Sequence, residues 1–235
     1  MTHDDVRGSH LRSNERIPNE VRLLALGRAI EAGEIGPSTN RRSLRRSSGV
    51  EGNARLTSSV AAVIFVVLAV EGATILRIGP LLSLHVFVGV LLIPIVLVKI
   101  ASTSWRFAKY YRGDPEYRRK GPPAIMLRLL GPLVIVLTLV VLASGVALIE
   151  LPSSFRQELA LIHKASFVLW IAAMTIHVLG HLAETLRLAP RDWLLRTRRQ
   201  VSGASSRQWL LVSSLALGLV TALALMPQAY GWYRK

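Results

Sequence analysis

The chain contains no cysteine. Disulfides, thiolate metal sites, covalent haem attachment and iron–sulfur clusters ligated by this chain are therefore excluded. Acidic residues are scarce: 14 Asp and Glu stand against 29 Lys and Arg, a formal net charge of +15. The loops between the apolar segments hold no glycine-rich phosphate cradle and no HExxH or GxSxG motif, so the common nucleotide-binding and hydrolase signatures are missing too.

What the chain has is apolar residues, 51% of its 235 positions, with a mean hydropathy of +0.40. They collect into five runs near membrane-spanning length, at 59–76, 81–100, 125–149, 159–182 and 209–226. This predicts an all-α integral membrane helical bundle in contact with the lipid bilayer: a four-helix core over 58–185 and a fifth transmembrane helix over 209–226. Residues 1–57 read as a polar, loosely ordered tail, with helical apolar spacing over 19–35 that Gly36-Pro37 stops. Arg41-Arg42-Ser43-Leu44-Arg45 superficially resembles a twin-arginine export signal. A charged anchor fits better, because Glu71 interrupts the apolar run that follows and four more runs lie beyond it.

The positive charge is not spread evenly. Arg106, Lys109, Arg112 and Arg118–Lys120 crowd the segment 101–124. Arg187, Arg191, Arg196, Arg198, Arg199 and Arg207 crowd 183–208, and Arg41, Arg42, Arg45, Arg46 and Arg55 precede the first run. These alternate with basic-poor links at 77–80 and 150–158, which is the positive-inside pattern rather than a nucleic-acid footprint. The expected topology has the N-terminus, loop 101–124 and the basic linker 186–208 in the cytoplasm, and the tail 227–235 outside. Trp105, Tyr110, Tyr111, Trp193, Trp209, Tyr230 and Trp232 fall near span ends, as interfacial aromatics do.

Four histidines lie inside these runs: His85, His163, His177 and His181. At ~100° per residue, His163 and His177 are ~40° apart on one helix, and His181 returns to the azimuth of His163. An ionisable stripe in lipid is a functional hypothesis by default. In the expected topology His85 and His163 each come about one turn in from the outer boundary, at equal depth on two helices, which suits one haem iron with two axial imidazoles. Gly89, one turn deeper than His85, would let a flat macrocycle approach the backbone, and Ser144 and Gly145 add a second small-residue surface. His177 lies ~21 Å deeper than His163, suiting a second haem. The first run offers it no histidine, and Lys99 and Met126 are weak substitutes. His181 is open to three roles: ligand, interfacial residue or quinone contact.

Other readings stay open. A histidine in a span also serves simply to hydrogen-bond a neighbouring helix. His177, His181 and Glu184, at i, i+4 and i+7, could bind zinc or ferrous iron in a haem-free transporter or metal-binding membrane protein. A structural anchor for a soluble enzyme is a third reading. Glu71 is the one carboxylate inside a span; it is expected either to hydrogen-bond a ligand imidazole or to sit as a neutral acid on Thr74 or a backbone carbonyl. Arg77 and Lys164, at the outer boundary, could pair with haem propionates or snorkel to lipid headgroups.

A histidine early in the second run, His85, and two histidines 14 apart on the fourth, His163 and His177, resemble the pattern of the four-helix b-type membrane cytochromes. That is the cytochrome b-561 group, which includes the cytochrome subunits of formate dehydrogenase and nickel hydrogenase. The segments EGATILRIGPLLSLHVFVG (71–89), ASTSWRFAKYYRGDPEYRRKGPP (101–123) and IHKASFVLW (162–170) look like an actinobacterial-type branch of it. The resemblance covers roughly 58–185. It implies haem b, held at the outer site by His85 and His163, in a bacterial cytoplasmic membrane. It also implies electron transfer between the quinone pool and an extracytoplasmic redox enzyme, such as a molybdopterin-dependent oxidoreductase. In the family the inner haem pairs the other fourth-helix histidine with one from the first helix. That histidine is absent here.

Overall fold

The computed structural model describes residues 37–121, 125–198 and 200–230, together with Leu24 and Arg28. Among the described residues there is no strand. In chain order the helices are α1 (Pro37–Ile75), α2 (Ile78–Tyr111), α3 (Pro115–Lys120), α4 (Ile125–Glu150), α5 (Arg156–Leu188), α6 (Pro190–Trp193), α7 (Leu195–Arg198) and α8 (Ala204–Tyr230), with a 3₁₀ turn, Ser153–Phe155, before α5. Residues Arg46–Lys235 form one compact unit and Met1–Arg45 another. The helix expected over 19–35 lies outside the described residues, apart from Leu24 and Arg28, which are both helical.

Five stretches are long and apolar enough to cross a membrane: Gly49–Ile75, Ile78–Tyr111, Ile125–Glu150, Ser153–Trp193 and Ala204–Gln228. Each contains or nearly contains one of the five apolar runs, so the chain is an all-α protein with five candidate spans. The helices run well past the runs. In lipid every backbone N–H and C=O must be satisfied within the helix, and a helix so nucleated propagates into its polar flanks. Two expectations are corrected by this. The segment 37–57, read as loosely ordered tail, is continuous helix leading into the first span. Most of the segment 101–124, read as a loop, is helical as well. Residues 101–111 extend α2, and α3 follows, capped by the Asp114 carboxylate accepting from Glu116 N at 3.2 Å with Pro115 at its first turn.

Val60 and Ile64 of α1 pack against Val88, Leu92, Ile95 and Val96 of α2, forming the tightest part of the core. α4 and α5 pair along their lengths. The fifth span, α8, lies against α2 and adds Leu211 and Leu215 to that core. A Cβ at Gly218 would collide with the Leu91 carbonyl oxygen, so only glycine permits this close crossing.

One end of the bundle is tied by polar groups. Arg55, only 3% exposed, donates to Asp192 Oδ1 at 3.4 Å and to the Thr197 carbonyl at 3.0 Å. Asp192, 2% exposed, also takes two bonds from Arg207 of α8, and its backbone carbonyl accepts from Gln208. Between α1 and α2, Asn53 donates to the Ser102 carbonyl, Thr57 to Ser102 Oγ, and Lys99 Nζ to the Thr57 carbonyl, all at 3.0–3.1 Å. The sequence grouped Arg55 with the charges that mark a membrane boundary. It is instead a buried structural cation. These bonds bring the start of the first span, the end of the second and the segment after the fourth to one end, called the basic end below.

Candidate functional site

A cavity of about 1240 Å³ runs along the bundle, walled by α1, α2, α4 and α5 with contributions from their flanking segments. Among the described residues none from α8 lines it, so the fifth helix buttresses the four-helix core from outside. The walls are mainly apolar. All four membrane-embedded histidines, with Glu71, Gly89, Gly145, Lys99 and Lys164, lie on them.

His85 on α2 and His163 on α5 face each other far from the basic end. Their ring centroids are 6.3 Å apart and their planes are 85° apart. Both imidazoles are held through Nδ1. His163 Nδ1 lies 3.1 Å from the Val141 carbonyl and 3.1 Å from Ser144 Oγ. A carbonyl can only accept, so Nδ1 carries the proton. Ser144 spends its own proton on α4 carbonyls, 2.7 Å from Val140 O, and turns a lone pair to the ring. His85 Nδ1 lies 3.0 Å from Glu71 Oε1 and 3.0 Å from Thr74 Oγ1. Thr74 donates to the Glu71 backbone carbonyl at 2.6 Å and likewise offers a lone pair. The His163 ring is thus an Nδ1–H tautomer, which leaves its Nε2 lone pair for a metal, and an ionised Glu71 carboxylate would set the same tautomer in His85.

The small residues around the pair have defined roles. A Cβ at Gly145 would meet His163 Cε1 at 3.2 Å, so the glycine lets the ring lie against α4. A Cβ at Gly89 would meet Glu71 Oε1 at 3.3 Å, so the missing side chain there first makes room for the carboxylate that holds His85. Glu71 Oε2 is buried without a hydrogen-bond partner. Among the described residues its carboxylate is paired with His85 alone.

His177 and His181 lie towards the basic end of the same cavity, ring centroids 4.8 Å apart on one helix. His177 Nδ1 is buried and has no partner, and His181 Nδ1 is 3.9 Å from Glu184 Oε2. Among the described residues, no three of His, Cys, Asp and Glu gather to hold a metal ion, so His177, His181 and Glu184 do not form a closed site. Lys99 lines the cavity; Met126 is exposed and does not. Lys164 is exposed on the rim of the wall, while Arg77 is exposed at the α1–α2 turn and is not part of it.

Sequence reasoning brought His85, His163 and Glu71 together correctly in space. It missed the Val141 carbonyl, and it saw Ser144 only as a small surface and Thr74 only as a partner for the Glu71 side chain. Ser144 stands next to Gly145 in the run and Thr74 three residues after Glu71, so each carried a signal once a neighbouring histidine was suspected. The backbone carbonyl had none. Fold and site together define an all-α multi-pass membrane protein with two histidines facing across a four-helix core. No protein-family model, curated protein or solved structure matches the chain.

Proposed function

We propose that this protein is a membrane b-type cytochrome in which His85 and His163 hold one haem b as its two axial ligands, passing electrons between a redox enzyme and membrane quinone. The reading rests on one observation above all: two imidazoles from different helices face each other with both Nδ1 atoms tied to acceptors. A metal–imidazole bond of about 2 Å on each side puts the centroids of two trans ligands roughly 6 Å apart, and the observed separation is 6.3 Å. An edge-to-face contact of two rings would need no such tautomer control at both nitrogens.

Two further features support it. The cavity beside the pair has the volume and apolar walls that a macrocycle requires. The buried Glu71 carboxylate, with one oxygen on His85 and the other unpartnered, is costly in lipid unless a positive charge lies near. A ferric haem held by His85 would supply that charge. When bound, haem supplies reversible one-electron chemistry. The chain's own residues orient the imidazoles, exclude water and set the electrostatic environment. The resemblance to the b-561 group agrees with this outer pair, and Lys164 is the better placed of the two cations for a propionate. The orientation in a cytoplasmic membrane, with the basic end inside and the partner enzyme outside, is part of the same proposal.

The decisive experiment is a dithionite-reduced minus oxidised spectrum of the purified protein with pyridine haemochrome quantitation. One haem per chain is expected. His85→Ala and His163→Ala should each abolish the low-spin signal, leaving at most a five-coordinate, high-spin remnant. Wild-type spectra and haem content in both variants would sink the assignment.

A further inference from the structure

The charges on the cavity wall are unevenly placed. Among the described residues Glu71 is the one carboxylate on it, at the end that holds the facing histidines. The half towards the basic end is lined instead by Lys99 and Arg106 of α2 and Arg128 of α4. Lys99 is already served: its Nζ donates to the Thr57 carbonyl at 3.0 Å, and Glu184, which does not line the cavity, lies within electrostatic reach. The two half-buried arginines are not. Among the described residues neither makes an ion pair. The carboxylates of the adjoining α3 segment, Asp114 and Glu116, are taken by Lys109 at 3.6 Å and Arg119 at 3.4 Å.

Arg106 and Arg128 also stand near one level. Arg106 lies shortly before Tyr111, where the second span ends, and Arg128 shortly after Ile125, where the third begins. At 1.5 Å per residue both are ~4–8 Å inside the boundary, from which a long side chain reaches the level of lipid phosphates. Arg128 donates to the Tyr111 hydroxyl and lies over that ring, 5.2 Å from its centroid, which ties the start of α4 to the end of α2. That bond occupies one arm of the guanidinium fork. Deeper in, the walls are apolar, with Ile100, Ile135, Met174 and Val178.

We propose that this mouth binds an anionic phospholipid, its phosphate between Arg106 and Arg128 and its acyl chains along the apolar wall. Half-buried guanidinium groups without a carboxylate need another anion, and phosphate oxygens match their fork of donors. A soluble anion satisfies the charge but leaves the apolar wall uncovered. A zwitterionic lipid covers the wall and brings a phosphate, yet adds a cation beside the three already there. An acidic lipid meets both demands, and the bilayer around the chain supplies it. The inference uses only this half of the cavity and stands apart from the haem reading.

The test is native mass spectrometry of the full chain in detergent, titrated with dioleoylphosphatidylglycerol or dioleoylphosphatidylcholine. Phosphatidylglycerol should form one saturable adduct, about ten-fold tighter than phosphatidylcholine. Arg106→Gln and Arg128→Gln should each weaken it about ten-fold, the effect of one lost charge-assisted bond. Arg106→Lys, which keeps the charge, should lose less and separates loss of the bond from misfolding; far-UV circular dichroism checks the helix content of every variant. Arg119→Gln removes an exposed arginine that is off the cavity wall, and should bind as wild type. Inorganic phosphate at the lipid's own concentration should leave the adduct in place. Four outcomes would overturn the proposal. They are equal binding of the two lipids, unchanged binding in both cavity variants, an equal loss in Arg119→Gln as for a mere effect of net charge, or displacement by inorganic phosphate as for a site that takes a free anion.

Discussion

The Glu71 carboxylate reaches His85 Nδ1 from α1, with Thr74 three residues on completing the same cradle. Hydrogen-bonding an imidazole N–H to a carboxylate makes the ring a stronger donor and favours ferric iron. If the proposed haem is bound, Glu71→Gln should therefore keep it and raise its midpoint potential, because a negative charge is removed while a neutral acceptor remains. Redox titration of the two proteins at one pH reads the difference. A fall in potential would contradict the electrostatic argument, and no change would reduce Glu71 to a packing residue. Gly145 acts at the same scale through shape alone. Gly145→Val would push on a ring that already lies within van der Waals contact of the glycine. On the cytochrome reading, weakened haem retention with broadened low-spin bands is the expected spectrum.

Helices α1, α6 and α8 are joined at the basic end by one carboxylate. Asp192 sits in the short α6 and takes bonds from Arg55 of α1 and Arg207 of α8, while Arg55 also reaches the Thr197 carbonyl of α7. Removing one partner of a buried pair leaves an uncompensated charge, which typically costs roughly 3–5 kcal/mol. Asp192→Ala should lose about that much stability, because among the described residues Arg207 would lose its carboxylate partner and Arg55 would keep only Glu51, at 3.2 Å. Unfolding in a fixed detergent with increasing denaturant measures it. His85 and His163 lie far from this clamp, so on the cytochrome reading haem spectra of the folded fraction should be unchanged. Loss of stability below about 1 kcal/mol, the range of surface ion pairs, would show that the network is solvated in the bilayer environment.

The helical bundle from Arg46 onward has a polar, cation-rich end and an opposite end with very short links between helices: residues 76–77 join α1 to α2, and 151–155 join α4 to α5. Excess Lys and Arg mark the cytoplasmic side of a membrane protein. A chain without cysteine makes the test direct, because any thiol introduced is the only one. Leu76→Cys, at an exposed position in the short turn, should be labelled by a membrane-impermeant maleimide in intact cells. Arg118→Cys, exposed on α3, should be labelled only after the cells are opened. The reverse pattern would turn the bundle over and place the His85–His163 pair on the cytoplasmic side.

Composition and periodicity determined the all-α class and the number of spans, because lipid permits few ways to satisfy a backbone and a run of apolar residues reports its own length. They also determined that His85 and His163 stand at matching depth, since helical rise converts residue number into height. Hydropathy could not locate the helix ends, as the polar residues 37–57 and 101–111 say nothing about whether a helix already formed will continue through them. Nor could it separate Arg55 from its neighbouring arginines: only the approach of Asp192 from 137 positions away makes that cation a buried one. Tertiary structure alone decided the tautomer of His163. The acceptors that hold His163 are a backbone carbonyl and a serine of another helix, and a carbonyl has no sequence signature. It also decided that the two ends of one histidine stripe differ, because whether a nitrogen meets an acceptor depends on which helix packs against it.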